Sequence, residues 1–173
     1  MAALAAELGG ARQVVIPEPG IPAGCTHITG HMLALLELDQ ASIDRIVGAI
    51  PGGASNVQDI YPLAPLQEGI LYHHLSAADE DPYRLQWRIT FDSLPRLQAF
   101  AGALDQVIAR HDVLRTAVLW DGLAQPVQVV LRKARSVVVQ VDSLDDAGRL
   151  PFDRAAAPLI RLLHQAGEGA VEA

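Results

Sequence analysis

The spacing of apolar residues changes abruptly near residue 93, and this change constrains the fold more than any other feature. In RLQWRITF (84–91) every second residue is apolar, which is typical of a half-buried β-strand. From Pro95 to about Asp112 the apolar residues recur at helical spacing, and proline suits the first turn of a helix. A strand followed directly by a long amphipathic helix indicates layers of sheet and helix.

Three Val-rich stretches follow this helix: TAVLW, PVQVVLR and SVVVQV. Polar segments separate them, so we expect two or three strands in hairpin-like succession. The later stretch FDRAAAPLIRLLHQAG is compatible with a strand or a helix, and EGAVEA (168–173) is expected to be an unstructured tail. The predicted fold class is α/β (mixed α+β), with helices packed on a mixed sheet.

Two shorter helices are predicted before the strand. The first begins at the N-cap Asp39, ends at PGGAS, and has one apolar face formed by Ile43, Ile46, Val47 and Ile50. The second lies in LQEGILYHHL, where apolar residues pair at i, i+4 spacing. We interpret NVQDIYPLAP as the connection between the two helices. Residues 39–58 are assigned to the first helix and a connector.

The N-terminal residues 1–38 are predicted to be an extended linker. Three prolines and two glycines between residues 17 and 24 exclude a long regular element there. The stretch AALAAEL, at the start of this region, is compatible with one short helix.

Composition excludes several classes of function. The net charge of −7 repels a phosphate backbone, and the arginines are scattered, so we expect no nucleic-acid partner. No apolar run is long enough to cross a bilayer, and the first residues lack a secretory signal, so we expect a cytoplasmic protein without a membrane partner. The one cysteine, Cys25, cannot form an internal disulfide.

Three stretches of the chain form an ordered set: DIYPLAPLQEGILYHHL (59–75), RHDVLRTAV (110–118) and FDRAAAPLIRLL (152–163). Together they resemble the opening part of the condensation domains of nonribosomal peptide synthetases. The IPAGCTHIT and PGGASNVQD segments are similar to the linker that joins an upstream carrier domain to such a domain, so AALAAEL resembles the last helix of a carrier. The resemblance implies a partial chloramphenicol acetyltransferase-like lobe over residues 59–167.

The resemblance also implies an activity and its partners. Such domains join a carrier-bound acyl or peptidyl thioester to the amino group of a carrier-bound aminoacyl thioester. The expected partners are carrier (thiolation) domains and other synthetase domains. Phosphopantetheine is presented by the carriers, and we expect no cofactor to be bound directly.

The family's His-His-x-x-x-Asp-Gly motif is expected after the stretch 152–163, and the 173 residues do not contain it. We therefore expect a truncated condensation domain that is inactive alone, with no catalytic, cofactor-binding or metal-binding residue assigned. Two alternatives stay open: a non-catalytic module that docks carrier proteins, and a separate polypeptide that supplies the missing half.

Seven residues match the family motifs and are expected to have structural roles. We expect the arginines of the second motif to form an internal salt bridge, because a planar guanidinium at a helix-to-strand junction binds carbonyls or a carboxylate well. The seven are Pro65, Gln67 and Gly69 in the first motif, and Arg110, His111, Leu114 and Arg115 in the second.

Two groups of histidines resemble functional sites, but neither group completes the pattern of one. His73 and His74 are followed by an aspartate one residue too late for the catalytic motif, so we expect a helix end, with tunnel lining or partner contact as the alternative. Cys25, His27 and His31 offer three metal ligands, but no fourth is evident.

Apolar faces that a complete domain would cover are expected to be exposed here, so self-association is a further prediction.

Overall fold

The computed structural model describes residues 19–76, 82–145, 153, 155–166 and 171–172. Within these ranges the helices are α1 (Gln40–Ala49), α2 (Pro65–Ser76) and α3 (Leu94–Arg110). The strands are β1 (Val57–Pro62), β2 (Thr90–Phe91), β3 (Thr116–Leu119), β4 (Val127–Leu131), β5 (Val137–Gln140), β6 (Arg161–Ala166) and β7 (Val171–Glu172). Short 3₁₀ turns lie at Gly30–Met32, Gly53–Asn56 and Asp112–Arg115. None of the described helices has both the length and the apolar character needed to span a membrane.

The first sheet has the strand order β1-β4-β3, and both pairs are antiparallel. Every residue of the central strand β4 is buried, because neighbours cover its two edges and other elements cover its two faces. The pairing of β3 with β4 confirms the predicted hairpin between the first two Val-rich stretches.

The second sheet has the order β2-β7-β6-β5. Strands β5 and β6 are parallel, whereas β7 is antiparallel to both β6 and β2. Helix α3 packs on this sheet through Leu97, which contacts Leu162 in a small second core. The predicted long helix is confirmed, including its early proline. The third Val-rich stretch forms a strand but does not continue the hairpin, because its partner in the sheet is β6.

The main core includes residues that the sequence places in an extended linker. Ile21 and Ile28 are each 1% exposed and pack with α1 and the first sheet. The Arg132 guanidinium donates to the carbonyl of Ile21 at 2.7 Å, and the Gln40 amide donates to the carbonyl of Ile28 at 3.0 Å. The segment has little regular structure, as predicted, but from Ile21 onward it is an integral part of the fold. The predicted AALAAEL helix lies outside the described residues.

Helix α1 begins and ends where the sequence predicts. The Asp39 carboxylate accepts a hydrogen bond from the Ser42 backbone N–H at 2.7 Å. Hydrogen bonds from the side chain and backbone of Ser42 lower the pKa of the Asp39 carboxyl group. The turn after the helix uses left-handed backbone at Gly52 (φ 87°) and Gly53 (φ 59°), which glycine adopts without strain.

Four other predictions are corrected or decided by the structure. The connector NVQDIYPLAP contains β1, which pairs with β4 over most of its length. In RLQWRITF only Thr90–Phe91 form a strand, because described pairing partners are present only there. The ambiguous stretch after residue 152 forms β6, and the expected tail contains β7.

Candidate functional site

Arg115 is the buried centre of a polar cluster between α3 and β3. The side chain is 6% exposed, which is unusual for a charged residue. Its Nη1 donates to the carbonyl of Leu131 and, at 3.3 Å, to the Gln58 side-chain oxygen. Its Nη2 donates to the Asp112 carboxylate, which confirms the predicted internal salt bridge.

The remaining contacts close this cluster into a network. The Gln58 amide donates to the second carboxylate oxygen of Asp112 at 2.8 Å, and the Thr116 hydroxyl donates to the Asp112 carbonyl at 2.8 Å. Arg115 thus links β1, β4 and the turn before β3 through one planar group. The Arg115 Nε is buried without a hydrogen-bond partner among the described residues, which subtracts from the net stabilisation.

The other residues of the second motif lie outside this network. Arg110 and His111 are exposed at the C-terminus of α3, where His111 is the C-cap and donates its backbone N–H to the Val107 carbonyl. A cation in the last helical turn is favourable because the helix dipole is negative there. Leu114 is half-buried in the 3₁₀ turn.

A second polar cluster forms around the first motif. Pro65 is the first residue of α2, and the Gln67 side-chain oxygen accepts a hydrogen bond from the Ala64 backbone N–H at 2.8 Å, as in a capping box. The Gln67 amide pairs with the amide of buried Gln128 on β4 at 2.9 Å. This pair fixes the start of α2 to the central strand of the first sheet. Gly69 is exposed, with no atom within 4 Å of a Cβ built there.

Tyr61 belongs to the same motif and lies at the end of β1. Burial raises the pKa of its hydroxyl, and a hydrogen bond with Thr116 partly opposes the rise. Tyr61 is therefore neutral at physiological pH and has no driving force to act as a base there.

The adjacent histidines occupy the last turn of α2, as the helix-end interpretation predicts. The His73 ring contacts the rings of Tyr72 and Tyr83, with centroids 5.9 and 6.1 Å apart. The His74 ring lies edge-on to Trp120 at 6.4 Å. The two histidine rings therefore contact different aromatic side chains.

Two of the three candidate metal ligands near the N-terminus, Cys25 and His31, have other side-chain contacts. The Cys25 thiol donates to the His27 carbonyl at 3.0 Å, and the His31 ring lies within hydrogen-bonding distance, 3.2 Å, of the Thr29 hydroxyl. No three His, Cys, Asp or Glu side chains in the described ranges are grouped so that they could hold a metal ion.

A groove of about 400 Å³ lies between α3 and the second sheet. Asp105 lines it and accepts hydrogen bonds from the Ser136 backbone N–H at 2.7 Å and hydroxyl at 2.8 Å, which lower the pKa of the carboxyl group. These bonds fasten the start of β5 to α3. His164 also lines the groove, and its buried Nδ1 has no partner among the described residues.

Sequence reasoning missed the partners in both polar clusters. Gln128 had a visible signal, because it is the one polar residue in the strand VQVVL, and a buried amide requires a partner. Gln58 and Asp112 gave no such signal, because a sequence does not distinguish a polar residue exposed to solvent from one that pairs with a buried arginine.

A family model described as "Condensation domain" matches residues 57–164. Malpinin synthetase of Mortierella alpina is 45% identical over 161 residues, 93% of this chain. A linear gramicidin synthase polypeptide of Brevibacillus parabrevis is 34% identical over 142 residues, 73% of this chain. The chain spans about 2% of the length of each of these relatives.

Solved structures with low sequence identity share the fold. A crystal structure of a four-domain nonribosomal peptide synthetase bound to AMP and glycine has a TM-score of 0.53 at 17% identity, over 67% of this chain and 10% of that chain. A crystal structure of holo T3CT has a TM-score of 0.51 at 16% identity, over 81% of this chain and 35% of that chain. The predicted fold class, a partial chloramphenicol acetyltransferase-like lobe, is confirmed.

Proposed function

Because this chain belongs to the condensation-domain family, we propose that it supplies the structural first part of a synthetase condensation domain and cannot catalyse condensation alone. One observation carries the proposal. The guanidinium nitrogens of Arg115 that form hydrogen bonds point to the carbonyl of Leu131, to Gln58 and to Asp112 within the fold. A side chain committed to three internal acceptors positions strands; it is not offered to a substrate.

The proposed reaction of the complete domain explains what this part lacks. The amine nitrogen of one thioester attacks the carbonyl carbon of another, the carbon–sulfur bond breaks, and the departing thiolate takes up the proton that the amine loses. A group that orients the amine or accepts its proton must lie about 3 Å from it. The sequence contains no His-His-x-x-x-Asp-Gly motif to supply that group. We therefore assign the chemistry to residues outside these 173.

The proposed partners are carrier domains of the same synthetase. Their phosphopantetheine arms would present both thioesters, and this chain would form part of the protein surface that the arms contact. We propose that the chain binds no cofactor of its own and that it acts in the cytoplasm.

A single-turnover condensation assay tests the proposal. The isolated chain is mixed with one carrier bearing an acyl group and another bearing an aminoacyl group, and the peptide product is measured by mass spectrometry. We expect no product from the chain alone and product from a longer synthetase polypeptide that contains it. Product from the isolated chain would contradict the proposal, because the chemistry would then lie within these residues.

Two controls separate the alternatives. In the longer polypeptide, replacing both His73 and His74 with alanine is expected to leave product formation unchanged, because both residues end a helix. Titration of the isolated chain with a phosphopantetheinylated carrier measures docking. Specific binding without product would favour the non-catalytic docking module over a part that needs the rest of its domain.

A further inference from the structure

Strand β5 lies at the end of the second sheet. The order β2-β7-β6-β5 gives it β6 as its one neighbour among the described strands, so its other edge has no described strand beside it. All of its residues, Val137–Gln140, are exposed. Natural sheets protect an open edge with charged residues or proline, and this strand has neither. The edge of β5 is therefore suited to accept another strand.

The hydrogen bonds to β6 show which backbone groups of β5 face the open edge. The Val141 backbone N–H donates to the His164 carbonyl at 2.9 Å, so it faces β6. Backbone groups alternate in direction along a strand, so those of Val139 also face β6. The N–H and carbonyl groups of Val138 and Gln140 therefore face the open edge.

The residues on the two sides of β5 carry opposite charges. Lys133 and Arg135 precede the strand, whereas Asp142 and Asp145 follow it, and all of these residues are exposed. A second copy that runs antiparallel brings the basic end of each strand beside the acidic end of the other. A parallel copy would bring like charges together, which is unfavourable. This charge complementarity favours a second copy of the chain in the antiparallel orientation.

We propose that two copies of this chain associate by antiparallel pairing of their β5 edges, which joins their second sheets into one. The association is independent of the condensation reaction. It is isologous, because both copies use the same strand around a two-fold axis.

The hydrogen bonds within the chain fix the centre of this pairing at Val139. Val138 of each copy then lies opposite Gln140 of the other, so both outward-facing residues of each strand are paired. A centre at Val138 would put Gln140 opposite Ser136, whose backbone N–H already donates to Asp105 at 2.7 Å. A centre at Gln140 would put Val138 opposite a residue beyond the end of the strand.

The same register aligns the valines of the two copies. Val139 lies opposite Val139 of the second copy, and Val137 lies opposite Val141 of the second copy. Val137 and Val139 are 51% and 37% exposed in the single chain, so pairing would remove apolar surface from water. Cross-strand pairs of β-branched residues stabilise sheets, and here they form one continuous row on one face.

Disulfide cross-linking tests the register. Val139→Cys in a Cys25→Ala background puts the two thiols at the two-fold axis, where opposed Cα atoms are about 4.5 Å apart and a disulfide can form. Val138→Cys in the same background is the matched control. In this register its two Cα atoms are farther apart than the roughly 7 Å that a disulfide can bridge.

We expect Val139→Cys to form the covalent dimer at least about tenfold faster than Val138→Cys under mild oxidation, because only the first pair meets disulfide geometry. Non-reducing electrophoresis of the folded variants measures both rates. Equal rates, or a faster rate for Val138→Cys, would overturn the proposed register and with it the pairing.

Analytical ultracentrifugation tests whether β5 carries the association. The 173-residue chain is expected to pass from monomer to dimer as its concentration rises. Val139→Lys puts two like charges on the axis and should keep the chain monomeric. Val113→Lys is the control, because it introduces the same charge at a valine that is 75% exposed in another part of the fold.

We expect Val113→Lys to associate like the unchanged chain. An unchanged chain that remains monomeric at its highest soluble concentration would overturn the proposal. Association that Val139→Lys leaves intact, or that Val113→Lys abolishes equally, would also overturn it, because another apolar surface would then join the copies.

Discussion

Replacing Arg115 with alanine removes the group that joins β1, β4 and the turn before β3. The side chain is 6% exposed, and its loss leaves the buried carbonyl of Leu131 without its donor. An orphaned buried acceptor costs about 1–3 kcal/mol, and lost packing around the long side chain adds to this. We expect Arg115→Ala to lower the free energy of unfolding by about 3 kcal/mol.

Two further variants separate the carbonyl contact from the ion pair. Arg115→Lys keeps the charge but cannot reach several acceptors through a planar fork, so we expect an intermediate loss of about 1–2 kcal/mol. Asp112→Asn removes the charge of the ion pair and leaves one side-chain oxygen for two donors, the Arg115 guanidinium and the Gln58 amide. The Asp112 side chain is 54% exposed, so solvent screening limits the loss to less than about 1 kcal/mol.

Urea unfolding followed by far-UV circular dichroism measures all three values. The predicted order of destabilisation is Arg115→Ala, then Arg115→Lys, then Asp112→Asn. An Asp112→Asn variant as destabilised as Arg115→Ala would refute the reasoning, because the ion pair would then carry the effect. A loss below about 1 kcal/mol for Arg115→Ala would refute it too.

Three other predictions concern the parts around this centre. Gln67→Ala removes the cap of α2 and the partner of Gln128, so thermal melts should show a loss of stability of about 1 kcal/mol. Gly69→Ala on the same helix should raise stability by up to about 1 kcal/mol, because alanine favours a helix more than glycine does and the position is open. Ile28→Ala should cost about 2–4 kcal/mol in urea unfolding if its segment belongs to the core, against almost nothing for a free linker. Hydrogen bonds from Ser136 lower the pKa of the Asp105 carboxyl group in the folded protein from its ordinary value of 3.8. The stability that these bonds contribute is therefore present above the ordinary pKa and is lost as pH falls through the lower folded pKa. Asp105→Asn should therefore reduce the loss of stability on acidification from about pH 5 to pH 2, measured by circular dichroism, and an unchanged acid profile would contradict the assignment.

The sequence predicted elements whose signals are local. The cap at Asp39, the proline start of α3 and the Val-rich strands β3 and β4 all formed where the pattern indicated, because capping and periodicity act over a few residues. The salt bridge of Arg115 followed from a family motif at a helix-to-strand junction.

Elements that depend on distant partners were harder to predict. β1 pairs with β4 some 70 residues later in the chain, so nothing within NVQDIYPLAP distinguishes a strand from a connector. RLQWRITF has a clear strand pattern, but a strand requires partners along its edges, and the described chain supplies them only at Thr90–Phe91. The core role of Ile21 and Ile28 was hidden by the surrounding prolines, which exclude helices but do not prevent burial.

The central claim is that residues 57–164 form the structural first part of a condensation domain, and a chimera tests it most directly. These residues replace the matching segment of malpinin synthetase, the relative that is 45% identical over 161 residues. Folding is checked by circular dichroism, and peptide formation is then measured from carrier-bound thioesters. We predict that the folded chimera forms peptide. A chimera that folds like its parent but forms no peptide, while the parent does, would contradict the account.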